Sequence, residues 1–117
     1  MPSKTLQEME AEVGAYCREK GWYDDEVSVP VALALLHEEV SEAGRASRDW
    51  GFDDATAGTS EEHPEGHWKS KPQGWGSELA DVVIRVLDYS GRYGLDIPAL
   101  MEHRRGAWGL REEALVN

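Results

Sequence analysis

Cysteine is nearly missing from this chain, and basic residues are few. The one cysteine, Cys17, excludes an internal disulfide and is typical of a reducing compartment. Only 12 lysines and arginines stand against 23 aspartates and glutamates, which gives a net charge of −11. Because phosphate backbones require a basic surface, this balance argues against a nucleic-acid-binding protein. We therefore predict a cytoplasmic protein without a nucleic-acid partner.

Long apolar runs are also missing. The longest, residues 31–36, is far shorter than the roughly 20 residues that a helix needs to cross a bilayer, and no signal peptide is recognisable. The alternation typical of β-strands is missing too, whereas apolar residues recur at helical spacing. With its 117 residues, the chain is expected to form one all-α domain, residues 1–117, that does not associate with membranes.

Local signals predict four helices. A capping-box pattern at Thr5 and Glu8 opens the first helix, and Pro30 suits the first turn of the second. The predicted helices are Leu6–Lys20, Val29–Arg48, a third that begins between Pro72 and Glu78 and ends near Tyr93, and Ile97–Glu113. Residues 49–75 have no apolar period, so we expect a long mobile loop there that closes over a ligand.

The second predicted helix turns from an apolar run into a cluster of carboxylates. Glu38 and Glu42 are four residues apart and Glu39 and Glu42 three apart, so their Cβ atoms lie roughly 5–6 Å from one another on a helix. The third helix carries a second acidic pair, Glu78 and Asp81, within an almost continuous apolar run. Acids in such a setting are rarely buried unless they are paired or bind a cation.

Two helices packed side by side would present Glu39, Glu42, Glu78 and Asp81 to one another. A set of oxygen ligands suits Mg²⁺ or Mn²⁺ rather than Zn²⁺, and Mg²⁺ keeps coordination positions for a phosphate-bearing substrate. Two simpler interpretations remain open. The acids of the second helix can form a solvated acidic surface, and Asp81 can pair with Arg85, four residues later.

The pattern Glu39-x-x-Glu42 followed by Glu78-x-x-Asp81 resembles the MazG-like, all-α nucleoside triphosphate pyrophosphohydrolases. The apolar residues between and after Glu78 and Asp81 strengthen the likeness, which covers roughly residues 16 to 112. The resemblance implies a four-helix bundle protomer and Mg²⁺-dependent hydrolysis of a nucleoside triphosphate between its α and β phosphates, giving a monophosphate and pyrophosphate. Helices this apolar indicate a homodimer or homotetramer.

The resemblance also implies roles for individual residues. Glu39 belongs to the metal site, and the neighbouring Glu38 is a candidate to accept the proton of an attacking water. Orientation of a metal ligand by Glu38, or plain solvation of its carboxylate, stays open as an alternative. Arg104 and Arg111, seven residues apart, match cationic positions of the family and are candidate phosphate contacts, although Trp108 replaces an asparagine between them. Ordinary ion pairs with surface acids are the alternative for both arginines.

Base recognition is assigned to three further residues. His37, Trp50 and Trp75 are candidates for stacking on the nucleotide base or hydrogen bonding to it, and core packing is the alternative. Two other functions stay open. One is a non-catalytic acidic helical protein that binds metal or a basic partner, and the other is a phosphoribosyl-ATP pyrophosphohydrolase.

Overall fold

The chain folds into α-helices. A computed structural model describes residues 3–51 and 74–110, and within these ranges it has four helices and no strand. The helices are α1 (Leu6–Glu19), α2 (Val29–Trp50), α3 (Trp75–Tyr93) and α4 (Ile97–Ala107). The predicted all-α class is therefore confirmed. Among the described helices, none combines the length and the apolar character needed to cross a bilayer.

Side-chain hydrogen bonds cap the predicted starts of α1 and α4, whereas Ser28 makes no such bond at the start of α2. The Thr5 hydroxyl accepts from the Glu8 N–H at 3.1 Å, and the Glu8 carboxylate accepts from the Thr5 N–H at 3.0 Å, so the capping box is confirmed. The hydrogen bond from the Thr5 backbone N–H is the main reason that the pKa of the Glu8 carboxyl is lowered. At α4 the Asp96 carboxylate accepts from the Ala99 N–H at 3.0 Å and caps the first turn.

The predicted end of α4 is wrong. Helix α4 ends at Ala107 rather than at Glu113, because Gly109 has a φ of 79° and the Leu110 N–H donates to the Arg105 carbonyl at 2.8 Å. These are features of a Schellman motif, which ends a helix. Helix α2 continues to Trp50, two residues beyond its predicted end, and α3 begins at Trp75, within the range predicted for its start. Residues 52–73 lie outside the described residues.

The chain divides into two compact units. The first unit contains residues 1–25 and 87–117, and the second contains residues 26–86. Helices α1 and α4 belong to the first unit, α2 belongs to the second, and the boundary falls within α3, between Val86 and Leu87. The single domain proposed from sequence stays a prediction.

Tyr23 is a central side chain of the first unit. Its hydroxyl donates to the Asp88 carbonyl at 2.7 Å, and the guanidinium carbons of Arg18 and Arg92 lie 5.6 Å and 5.2 Å from the centre of its ring. Arg92 also donates to the Asp25 carbonyl at 2.7 Å. Burial of the phenol raises the pKa of Tyr23, so this donor stays protonated across the physiological range.

Glu10 connects α1 to the start of α4 in the same unit. Its Oε2 atom accepts from the Ile97 N–H at 3.0 Å and from the Ser90 hydroxyl. The Ser90 oxygen also lies 2.8 Å from the Leu95 carbonyl and is within the core, 1% exposed. Glu10 thus places a carboxylate at the positive end of α4, where a negative charge stabilises the helix.

Gly91 provides a first testable prediction. A Cβ atom at this position would lie 2.5 Å from the Tyr23 hydroxyl and 3.2 Å from the Gly14 Cα. We expect Gly91→Ala to lower the free energy of unfolding by about 1–3 kcal/mol, the usual effect of overpacking. Gly106→Ala is the matched control, because no atom of the described residues lies within 4 Å of its Cβ position, and alanine should stabilise that helix by up to about 1 kcal/mol. Urea denaturation measures both, and equal stabilities for the two variants would contradict this packing.

The second unit buries little apolar volume on α2. Within the described residues, α2 buries only alanines among its apolar side chains, and they are Ala32, Ala43 and Ala46. Larger apolar side chains on α2 and α3 are 42–56% exposed, and they are Val29, Val31, Leu33, Leu35, Val40, Leu79, Val83 and Ile84. We call these eight residues the apolar surface of the second unit.

Candidate metal centre

Three carboxylates from two helices meet in the second unit. Glu39 comes from α2, and Glu78 and Asp81 come from the first turns of α3. The three-residue spacing puts Glu78 and Asp81 on neighbouring positions of α3. The N–H of Glu78 donates to the Gly74 carbonyl at 3.1 Å, so the acid lies at the N-terminal end of the helix, where the helix dipole favours a negative charge.

The geometry of this acid triad suits a small cation. One carboxylate oxygen from each of Glu39, Glu78 and Asp81 lies within 4.8 Å of the others, and all three residues are half-buried. The Oε2 atom of Glu78 is closed off from solvent. Because charges this close repel strongly when water is partly excluded, a cation among the oxygens would stabilise the arrangement.

Arg85 is the basic group beside the triad. Its Nη2 atom lies 3.5 Å from Oε1 of Glu39, with the Arg85 side chain 41% exposed and that of Glu39 22% exposed. The sequence suggested a pair between Arg85 and Asp81 on one helix, whereas this contact joins α3 to α2. Such a partly exposed pair contributes on the order of 1 kcal/mol or less, so a divalent ion can displace it.

No protein-family model, curated protein or solved structure matches this chain. The donor set contains carboxylate oxygens only, which suits a hard cation such as Mg²⁺ or Mn²⁺. Three oxygens would leave about three positions of an octahedral ion for water or substrate.

The remaining predicted ligand and catalytic residues are not part of the triad. Glu42 and Glu38 lie on α2 and are exposed, and neither joins the three clustered acids. His37 is also exposed, and its carbonyl accepts from the Ser41 hydroxyl at 3.2 Å. The roles assigned to Glu38, Glu42 and His37 stay predictions.

The other predicted substrate contacts are distributed along the chain. Trp50 is the last residue of α2, and Trp75 is the half-buried first residue of α3. Arg104 is an exposed residue of α4 in the first unit, and Arg111 lies outside the described residues. No contact of these four residues with a nucleotide is tested, so their roles also stay predictions.

Competition between Arg85 and a bound cation is directly measurable. Arg85→Gln removes the positive charge 3.5 Å from Glu39, so the triad should bind Mg²⁺ or Mn²⁺ about 2- to 10-fold more tightly, corresponding to a lost pair of roughly 1 kcal/mol. In chelator the same variant should melt at a lower temperature, since the acids lose a compensating charge. Titration calorimetry with Mn²⁺ checks the first effect, and weaker binding by the variant would contradict it.

Proposed function

We propose that this protein is a Mg²⁺-dependent nucleoside triphosphate pyrophosphohydrolase, with Mn²⁺ as an alternative metal. The reaction is hydrolysis of a nucleoside triphosphate between the α and β phosphates, giving the monophosphate and pyrophosphate. The observation that carries the proposal is the convergence of Glu39, Glu78 and Asp81 from two helices, with ligand atoms within 4.8 Å of one another. These are three of the four acids on which the resemblance to the MazG-like enzymes rests.

The acid triad fits a bound divalent ion, which would offset the charge of a triphosphate and make a coordinated water more acidic. Glu39, Glu78 and Asp81 hold the ion in this proposal, and Glu42 completes the set. Glu38 precedes Glu39 on α2 and is exposed, so it is open to solvent as the acceptor of the water's proton. Arg85 balances the excess negative charge when the metal leaves.

Phosphate and base contacts complete the proposed mechanism. Arg104 and Arg111 offset the remaining charge of the triphosphate, and arginine can bind phosphate oxygens through two parallel hydrogen bonds. His37, Trp50 and Trp75 contact the base. The nucleotide itself is not specified by these residues, because aromatic rings stack on every base.

The proposed working form is a homodimer or homotetramer in the cytoplasm. Its support is the apolar surface of the second unit, whose eight side chains are 42–56% exposed. Apolar side chains left exposed on a protomer often mark a surface that another chain covers. Pairing two copies through this surface gives α2 and α3 the core that their own alanines do not supply.

Metal-dependent pyrophosphate release tests the proposed reaction. The purified protein is incubated with each common ribo- and deoxynucleoside triphosphate, and with phosphoribosyl-ATP, in Mg²⁺, Mn²⁺ or chelator. Monophosphate and pyrophosphate in equal amounts are expected, with no release in chelator. Turnover of phosphoribosyl-ATP alone would favour the related hydrolase. Binding of Mn²⁺ without turnover of any substrate would favour the non-catalytic metal-binding protein.

A further inference from the structure

Arg85 continues the row of acids on α3. It follows Asp81 by four residues and Glu78 by seven, so the three side chains project from the same side of the helix. All three belong to the second unit, as does Glu39, whose Oε1 atom lies 3.5 Å from the Arg85 Nη2 atom. A basic side chain therefore stands directly beside the acid triad.

The contact between Arg85 and Glu39 is loose. A charge-assisted hydrogen bond between such groups is about 2.7–2.9 Å long, whereas this contact spans 3.5 Å. The Arg85 side chain is 41% exposed, and the carboxylate side chain that it contacts is only 22% exposed. The guanidinium is thus open to solvent, and a long side chain in this setting can turn from the carboxylate to another anion nearby.

The charges of the proposed reaction change the anion that Arg85 prefers. Three carboxylates attract the guanidinium when no metal is bound, and two of their three charges are offset when one divalent ion binds. A triphosphate brings new negative charge to the same place. Because Mg²⁺ holds its ligands at about 2.0–2.1 Å, a phosphate on the ion is a close neighbour of the carboxylates that hold it. A guanidinium that contacts Glu39 is then within easy reach of that phosphate.

Other arginines have a different setting. Arg104 belongs to the first unit, and Arg111 lies outside the described residues. Arg48 is nine residues after Glu39 on α2, which is half a turn out of phase, so it projects from the opposite side of that helix. Arg85 shares the second unit with the triad and contacts one of its acids.

We propose that Arg85 is a phosphate contact that metal binding releases. It pairs with Glu39 in the empty site, and it binds a phosphate oxygen of the triphosphate once a divalent ion is held by the triad. This role rests on the proposed function, because it requires a triphosphate at the metal site. Arginine binds phosphate oxygens through two parallel hydrogen bonds. Metal and triphosphate therefore bind cooperatively, since the phosphate replaces the partner that Arg85 loses to the metal.

Opposite effects on metal binding and phosphate binding test the proposal. Calorimetry measures Mn²⁺ binding to the full-length protein. At saturating Mn²⁺ it then measures binding of the α,β-imido analogues of the four common deoxynucleoside triphosphates, whose bridging nitrogen resists hydrolysis. Arg85→Gln should bind Mn²⁺ about 2- to 10-fold more tightly. It should bind the tightest analogue at least ~10-fold more weakly, a difference of about 1.4 kcal/mol.

Two further variants separate this role from support of the fold. Arg48→Gln removes an equal charge from an exposed position of the same unit and should leave both affinities unchanged. Arg85→Lys keeps the positive charge but lacks the planar fork of arginine. It should bind Mn²⁺ like the wild type and bind the analogue with an affinity between those of the wild type and Arg85→Gln. Circular dichroism checks that each variant is folded.

Binding and turnover together distinguish failure of this role from failure of the proposed reaction. Wild-type analogue affinity in Arg85→Gln overturns the role of Arg85, and so does a parallel loss of both affinities in the folded variant. Equal pyrophosphate release by the wild type and Arg85→Gln has the same meaning and leaves the reaction intact. Mn²⁺ binding by the wild type without binding of any analogue overturns both proposals. Analogue binding without turnover overturns the reaction alone, and the affinities of the variants then decide the role of Arg85.

Discussion

Glu39→Gln is expected to lower the specificity constant for pyrophosphate release by ~100-fold or more, which is at least about 2.7 kcal/mol of transition-state stabilisation. The amide keeps the shape of the side chain but removes the charge that Glu39 contributes to the triad, where the acid oxygens lie within 4.8 Å of one another. Even changes to groups one step removed from a metal commonly cost 10- to 100-fold in affinity or activity. Loss of a direct ligand should cost at least as much.

Steady-state kinetics at several Mg²⁺ concentrations measure this effect. Glu26→Gln is the matched control, because Glu26 is an exposed acid outside the triad and its replacement changes the net charge equally. Calorimetry should show weaker Mn²⁺ binding by Glu39→Gln, and circular dichroism should show unchanged helix content. A folded Glu39→Gln variant with wild-type kinetics would remove the triad from the proposed reaction.

Val83→Asp is expected to convert the proposed oligomer into monomers. Val83 is 52% exposed on α3 and belongs to the apolar surface of the second unit. An aspartate there would be tolerated by an isolated protomer, but it would be buried without a partner when two copies pack together. With a penalty of roughly 3–5 kcal/mol per buried charge, the dissociation constant of the dimer should rise by at least ~100-fold.

Sedimentation velocity across a range of concentrations detects the change in mass. Met9→Asp is the control, since Met9 is 40% exposed on α1 in the first unit and lies outside the apolar surface. A wild-type protein that sediments as a monomer would refute the proposed assembly. Unchanged association of Val83→Asp would show that the copies meet elsewhere.

The helices were largely predictable because their ends are set by neighbouring residues. Thr5 and Glu8 act within one turn, and Asp96 caps a helix that starts at the next residue, so these signals depend on no distant part of the chain. The predicted end of α4, at Glu113, lies beyond the observed end at Ala107. Gly109 follows residues that retain helical spacing, and its positive φ of 79° ends the helix despite that pattern.

The site was predictable where one helix determines it. The three-residue spacing of Glu78 and Asp81 guarantees neighbouring side chains, and their apolar surroundings suggested a buried face. Contacts between helices could not be predicted in this way. The pairing of Arg85 with Glu39 depends on the register of α3 against α2, which spacing along one helix cannot give. Glu10 was missed for the same reason, since its partner Ser90 is 80 residues away.

The split of the first unit into residues 1–25 and 87–117 has a consequence for synthesis on the ribosome. Tyr23 meets Asp88 and Glu10 meets Ile97, so neither contact can form until the whole segment 26–86 has been translated. At roughly 5–20 residues per second, that interval is about 3–12 s. Helix α1 therefore spends several seconds as a nascent chain without its partners, with Cys17 unprotected, while the second unit has the first opportunity to fold.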